Sequence, residues 1–302
     1  MSTPLFENIA IIGIGLIGSS LAQSIDREGL SARTILYDIA PEIRDTARGL
    51  KLGGEIVDTL AEAVANADLV VLCVPVGAVG AVAKDMSRAL KPGAIVTDVG
   101  SVKESVVRDV HPHIPAGVHL VPGHPIAGTE QSGPEAGFAD LFAGRWCVLT
   151  PPLETDEQAI EQVAALWRAT GMQVEIMDAN HHDRVLAITS HVPHLIAYNI
   201  VGTAADLEEV TRSEVVKFAA GGFRDSTRLA ASDPTMWRDV FLNNREAVLE
   251  MLGRFVEDLT ALQRAIRWGD GEALFDAFER TRAIRRRVID AGQEVDAPDF
   301  GR

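Results

Sequence analysis

Apolar residues in the first half of the chain fall in short unbroken runs. Between these runs lie segments where they recur every three or four positions. Residues 8–12, 67–75 and 94–99 are near-continuous apolar stretches, as expected of strands buried on both faces. Residues 19–25 and about 79–90 have helical spacing, and Lys91-Pro92-Gly93 stops the second. Residues 146–152 read as a further strand, 155–170 as an amphipathic helix, and 173–177 alternate as an edge strand does. Strands alternating with helices of this length predict a mainly parallel, doubly wound α/β sheet. From Asn180 onward no strand pattern recurs, and the 3.6-residue period holds almost to the end. A long helix is expected over 183–205, with Pro193 kinking it. Another is capped by Ser232-Asp233-Pro234, and two amphipathic helices cover about 244–268 and 270–291. The expected division is an α/β domain at 1–178 and an all-α domain at 179–302. The apolar face marked by Met251, Leu252, Phe255, Leu259, Leu262 and Ile266 would bury itself against a second copy of the chain. Arginines 280, 282, 285, 286 and 287 read as a solvated face.

The first strand runs directly into Gly13-Ile14-Gly15-Leu16-Ile17-Gly18. Gly13 permits a tight turn, Gly15 lets a pyrophosphate approach the backbone, and Gly18 lets the helix pack close to the strand. The free amides at the helix start would hold the phosphates, with Leu16 and Ile17 in the same turn. Asp38 follows a second strand about 20 residues past Gly18, where an acidic group binds an adenosine ribose and repels a 2′-phosphate. The pattern therefore predicts a Rossmann-type dinucleotide site with NAD preferred over NADP. Val74-Pro75, at the end of the next strand, would border the same cofactor, and so would Ser101.

The formal net charge of −15 over 302 residues argues against nonspecific binding to nucleic acid or to acidic membranes, both polyanions. Cys73 and Cys147 lie in apolar runs without metal-ligand spacing and read as buried thiols of a reducing compartment. The apolar stretch 9–22 lacks a basic leader and a cleavage pattern, and no run has the roughly 18 apolar residues of a membrane span. A cytoplasmic protein is expected.

Candidate chemistry centres on Val121-Pro122-Gly123-His124-Pro125, read as a loop just after a strand at 118–121. Proline and glycine there restrict or free the backbone so that one imidazole can be aimed. Ser101 and Lys103 follow a strand's carboxyl end, where open α/β sheets place ligands. An N-cap serine and a solvated lysine are the alternative for that pair. His191 and His194 share a helix face; a metal pair and hydrogen-bonded core histidines both remain open. Gly221-Gly222 would break a helix ahead of Arg224-Asp225-Ser226-Thr227-Arg228, where arginines suit a planar carboxylate and Asp225 could orient Arg228. A surface salt-bridge cluster is the competing reading.

The glycine loop together with Asp98-Val99-Gly100-Ser101-Val102-Lys103, Gly123-His124-Pro125, Gly128-Thr129-Glu130, Ser190-His191-Val192-Pro193-His194 and Gly222-Phe223-Arg224-Asp225-Ser226-Thr227-Arg228 resembles the prephenate/arogenate (cyclohexadienyl) dehydrogenases over nearly the whole chain. The resemblance implies NAD-dependent oxidative decarboxylation of prephenate, with arogenate as a second candidate substrate, in tyrosine biosynthesis. It assigns His124 as proton acceptor and Ser101 as its hydrogen-bonding partner. Arg228 would hold the ring carboxylate, and His194 would lie near the side-chain carboxylate. Thr129, Gly221 and Trp237 would line the pocket, and Glu130 and Asp225 would form an ionic network at it. A homodimer without a metal is implied. A β-hydroxyacid dehydrogenase of the 6-phosphogluconate type would place a lysine on the first long helix of the second domain, and residues 183–205 contain none. A non-catalytic NAD-binding sensor would have lost the acid–base and arginine residues, which are present.

Overall fold

The computed structural model describes residues 3–129, 131–211 and 221–290. Among these, residues up to Pro193 together with Ala231–Val248 form one compact unit, and His194–Ala230 with the chain from Leu249 form a second.

The first unit is built on six parallel strands: β1 (Phe6–Ile12), β2 (Ser31–Tyr37), β3 (Glu55–Ile56), β4 (Leu69–Leu72), β5 (Ile95–Asp98) and β6 (His119–Leu120), in the order β3-β2-β1-β4-β5-β6. Helices α1 (Leu16–Glu28), α2 (Pro41–Leu50), α3 (Leu60–Val64), α4 (Val79–Met86) and α5 (Glu104–Val110) connect them. Ile9, Ile11, Leu69 and Val71 face one buried cluster, and Ala10, Ile12, Val70 and Leu72 face another, so alternate residues of each strand pack on opposite sides. That two-sided burial explains the unbroken apolar runs. The strand order reverses between β1 and β4, which opens a crevice at their carboxyl ends.

Among the described residues, the chain beyond β6 does not join this sheet. Strands β7 (Gly123–Pro125), β8 (Trp146–Leu149) and β9 (Gln173–Ile176) form a separate three-stranded sheet, with β7 antiparallel and β9 parallel to β8. His124 therefore sits in a short strand paired with Val148, not in a loop. Helix α6 (Glu157–Ala169) buries Val163, Ala164, Leu166 and Trp167. The expected helix over 183–205 is longer and interrupted: α7 (Ala179–Leu186) passes through a π turn at Ala187–His191 into α8 (Val192–Thr211). Pro193 cannot donate to the carbonyl four residues back, and the wider turn ends just before it. By length and composition residues Ala179–Asp206 could cross a membrane, although the apolar runs alone did not suggest it. His182, Asp183 and His191 in that stretch are buried in polar contacts instead.

Helix α9 covers Gly221–Thr227, so the glycine pair expected to break a helix is itself helical, as are Arg224 and Asp225. Asp233 caps α10 (Pro234–Asn243) through the Met236 amide, with proline at its start as the sequence predicts. Helices α11 (Arg245–Trp268) and α12 (Gly271–Asp290) leave Leu249, Val256, Leu259, Ile266, Phe275 and Phe278 exposed in the single chain.

Gly18 sits inside α1 where a Cβ would lie 2.0 Å from the Gly13 carbonyl oxygen, whereas a Cβ on Gly15 would meet nothing within 4 Å. Gly18→Ala should lower the unfolding free energy by about 1–3 kcal/mol through overpacking. Gly15→Ala should leave it within about 0.5 kcal/mol of the parent in urea denaturation.

Candidate active site

Four carboxyl ends of the parallel sheet supply the first part of the site. After β1, Gly13 adopts φ +100°, with its amide bonded to the Tyr37 carbonyl at 2.7 Å. A Cβ there would strike the Cys73 carbonyl at 2.4 Å, so only glycine fits the turn. Gly15 caps α1, and no acidic side chain occupies the helix's first turn. The open space at Gly15 and the free helix amides make a cradle that suits a diphosphate. After β2, Asp38 accepts the Ile14 amide at 2.9 Å and the Ala40 amide at 3.0 Å, tying its carboxylate to the rim of that cradle. Val74 and Pro75 follow β4, across the crevice from the glycine loop. These groups fit an adenine dinucleotide.

The end of β5 is organised by a buried ion pair. Asp98 Oδ2 receives the Lys103 ammonium and the Gly100 amide, the latter at 2.7 Å. Asp98 Oδ1 accepts the Gly123 amide at 3.1 Å, and Lys103 Nζ donates to the Gly123 carbonyl at 2.7 Å. Lys103 is fully buried, which corrects the solvated-lysine reading. Burial pulls its ammonium below the ordinary lysine value, against the pull of Asp98. Gly123 is held on both sides of its peptide, and a Cβ there would crowd the Asp98 carbonyl at 3.1 Å and Leu149 at 3.2 Å. The residue after this clamp is His124.

His124 is 7% exposed. Burial, then the neighbouring His182, Lys103 and His191, push its pKa well below the ordinary histidine value, so the ring is a neutral acceptor at neutral pH. Its Nδ1 lies 2.8 Å from His182 Nε2, with the rings edge-on at 5.0 Å between centroids. Ser101 lies half-buried in the turn after β5. The hydrogen bond from Ser101 to this imidazole, implied by the family resemblance, is not formed here; His182 takes that role.

Sequence reading missed His182, Asp183 and Asn244. His182 Nδ1 is 2.7 Å from Asp183 Oδ1, and Asp183 accepts the Lys103 amide at 2.8 Å and the Glu104 amide at 3.0 Å. Asn244 donates to the Asp183 carbonyl at 2.8 Å and sits 3.0 Å from His191 Nδ1, while Trp237 stacks edge-on against the His191 ring at 5.9 Å. The available signal was a His-His-Asp run opening α7 in register with buried Leu186 and Ala187. His191 belongs to this hydrogen-bonded core, and among the described residues no cluster is arranged to hold a metal ion.

Thr129 is exposed beyond β7, with its hydroxyl accepting the Gln131 amide. Glu130 lies outside the described residues. His194, Gly221, Asp225 and Arg228 fall in the second unit, where Arg224 approaches Asp225 at 3.9 Å on an exposed surface.

Residues 21–176 match the family model "Prephenate dehydrogenase, nucleotide-binding domain", and residues 178–280 match "Prephenate dehydrogenase, dimerization domain". A cyclohexadienyl dehydrogenase of Zymomonas mobilis is 45% identical over 93% of this chain and 96% of its own. The chain belongs to the prephenate dehydrogenase family. Within it, the crystal structure of prephenate dehydrogenase from Aquifex aeolicus in complex with hydroxyphenyl propionate and NAD+ superimposes with a TM-score of 0.87 at 34% identity, covering 95% of this chain and 99% of that one. A Synechocystis arogenate dehydrogenase gives 0.79 at 25% identity, covering 93% and 99%.

Removing one member of a buried ion pair strands the other without compensation. Lys103→Met should therefore cost about 3–5 kcal/mol of stability in urea denaturation. A loss no larger than that of a surface lysine would mean the pair does not organise the site.

Proposed function

We propose that this member of the prephenate dehydrogenase family catalyses NAD-dependent oxidative decarboxylation of prephenate. Arogenate is a second substrate of the same site. The observation that carries the reading is a buried neutral imidazole, His124, clamped at the carboxyl edge of a dinucleotide-binding sheet. The Aquifex complex with NAD+ and an aromatic acid supports it. Arogenate is favoured as a second substrate because relatives named for cyclohexadienyl and arogenate dehydrogenation both match over most of the chain.

Residues 1–178 would hold NAD through Gly13, Gly15, Leu16, Ile17, Gly18, Asp38, Val74, Pro75 and Ser101. Bound there, NAD accepts hydride from the ring carbon that bears the hydroxyl. His124 takes the hydroxyl proton as that C–H bond breaks, which leaves a ring ketone. Loss of carbon dioxide from the opposite carbon returns its electron pair to the ring, and the resulting phenolate oxygen recovers the proton. Aromaticity drives both bond cleavages.

In this reading Arg228 grips the ring carboxylate and His194 lies toward the side-chain carboxylate. Thr129, Gly221 and Trp237 line the pocket, with Glu130 and Asp225 in an ionic network beside it. Residues 179–302 bind substrate and pair two copies of the chain in a cytoplasmic homodimer. The exposed apolar side chains of α11 and α12 are suited to that pairing.

The test follows NADH formation with prephenate and arogenate supplied in turn. His124→Asn should reduce turnover by about 10²–10⁴, the usual value of general acid–base help, with NAD affinity near that of the parent. A variant as active as the parent would remove His124 from the mechanism. Failure of the parent with both substrates would end the reading.

A further inference from the structure

His182 and Asp183 have no part in the reaction as drawn above, yet they occupy its most buried ground. Both are essentially inaccessible to solvent, and neighbouring His181 is exposed. The direction of each hydrogen bond in the chain His124–His182–Asp183 can be deduced. Asp183 Oδ1 faces the Lys103 amide at 2.8 Å and Oδ2 the Glu104 amide at 3.0 Å, so the carboxylate is an acceptor throughout. His182 Nδ1, 2.7 Å from Oδ1, must then carry the hydrogen. Burial lowers the pKa of His182 more than Asp183 raises it, so the ring is neutral and its Nε2 is a lone pair. That lone pair, 2.8 Å from His124 Nδ1, can only accept. His124 therefore carries its hydrogen on Nδ1, and Nε2 is left as its one basic nitrogen. Two imidazoles alone could bond in either sense; the carboxylate removes the ambiguity.

We infer that His182 and Asp183 are positioning residues which lock His124 in the Nδ1–H tautomer and so reserve its Nε2 for the substrate hydroxyl. The identity of that hydroxyl rests on the function proposed above, whereas the tautomer does not. The same chain can hold the proton during turnover. As His124 Nε2 gains a proton, the Nδ1–H bond can break while an N–H bond forms at His182 Nε2. The positive charge is then on His182, beside Asp183, and His124 is neutral again. The other ionisable groups around His124 are Lys103 and His191, with Asp98 behind the Gly123 clamp and Cys147 across the strand pair.

The experiment is long-range ¹H–¹⁵N correlation on the full-length chain labelled with ¹⁵N-histidine, at mildly alkaline pH. His124→Asn assigns the ring signals. The parent should show His124 protonated at Nδ1. His182→Asn keeps a partner for Asp183 but withdraws it from His124, whereas His182→Gln places an amide oxygen near the former Nε2. His182→Asn should lose the single tautomer and at least about tenfold in kcat, with KM little changed, and His182→Gln should recover the tautomer and most of the rate. His124 protonated at Nε2 in the parent, or one tautomer and one rate in all three proteins, would overturn the inference. Should His182→Asn not fold, the parent and His182→Gln spectra still decide it. Inactivity of the parent on both substrates would refute the proposed reaction and leave the tautomer result standing.

Discussion

The buried pair of Asp98 and Lys103 is the constraint on which the site depends. Taking two such charges out of water costs several kcal/mol per ion, and their mutual attraction offsets this only when the remaining donors and acceptors are also bonded. Here they are. The carboxylate collects the amides of Gly100 and Gly123, and the ammonium reaches the Gly123 carbonyl. What the pair contributes is geometry: it fixes the peptide just before His124 to the end of β5 and so joins the small second sheet to the large one.

From that point the polar contacts run outward without a break. The Lys103 amide reaches Asp183, Asp183 orients His182, and His182 meets His124. The Asp183 carbonyl is tied to Asn244, which also meets His191. Every member is buried, so each hydrogen bond acts in surroundings of low dielectric and a misplaced proton is costly. An imidazole in such a place is rigid and neutral, which suits a group that must accept a proton while the adjacent C–H bond breaks.

Much of this was legible in the sequence. Two-sided burial of β1, β4 and β5 leaves continuous apolar runs, and the glycine loop and Asp38 carry their own spacing, so the sheet and its crevice could be read directly. His124 stood out because Gly123 and Pro125 bracket it. The separate sheet did not stand out, because β7 is three residues long and carries a histidine between a glycine and a proline. Lys103 was marked by its place at a strand's carboxyl end, but its burial against Asp98 was not legible, since a lysine at a helix start reads as solvated unless its partner is known. His182 and Asp183 escaped notice for a related reason: their roles depend on contacts with residues 58 to 80 positions away, which local pattern does not encode. The π turn before Pro193 was foreseen only as a kink.

The central claim is that a buried, neutral His124 is the proton acceptor. The most direct test is the pH dependence of kcat/KM with saturating NAD. Because only the neutral ring can act, activity should fall as pH drops through the lowered pKa, giving an acid limb centred below the ordinary histidine value of 6.5. An acid limb at or above that value, or one that persists unchanged in His124→Asn, would contradict the account.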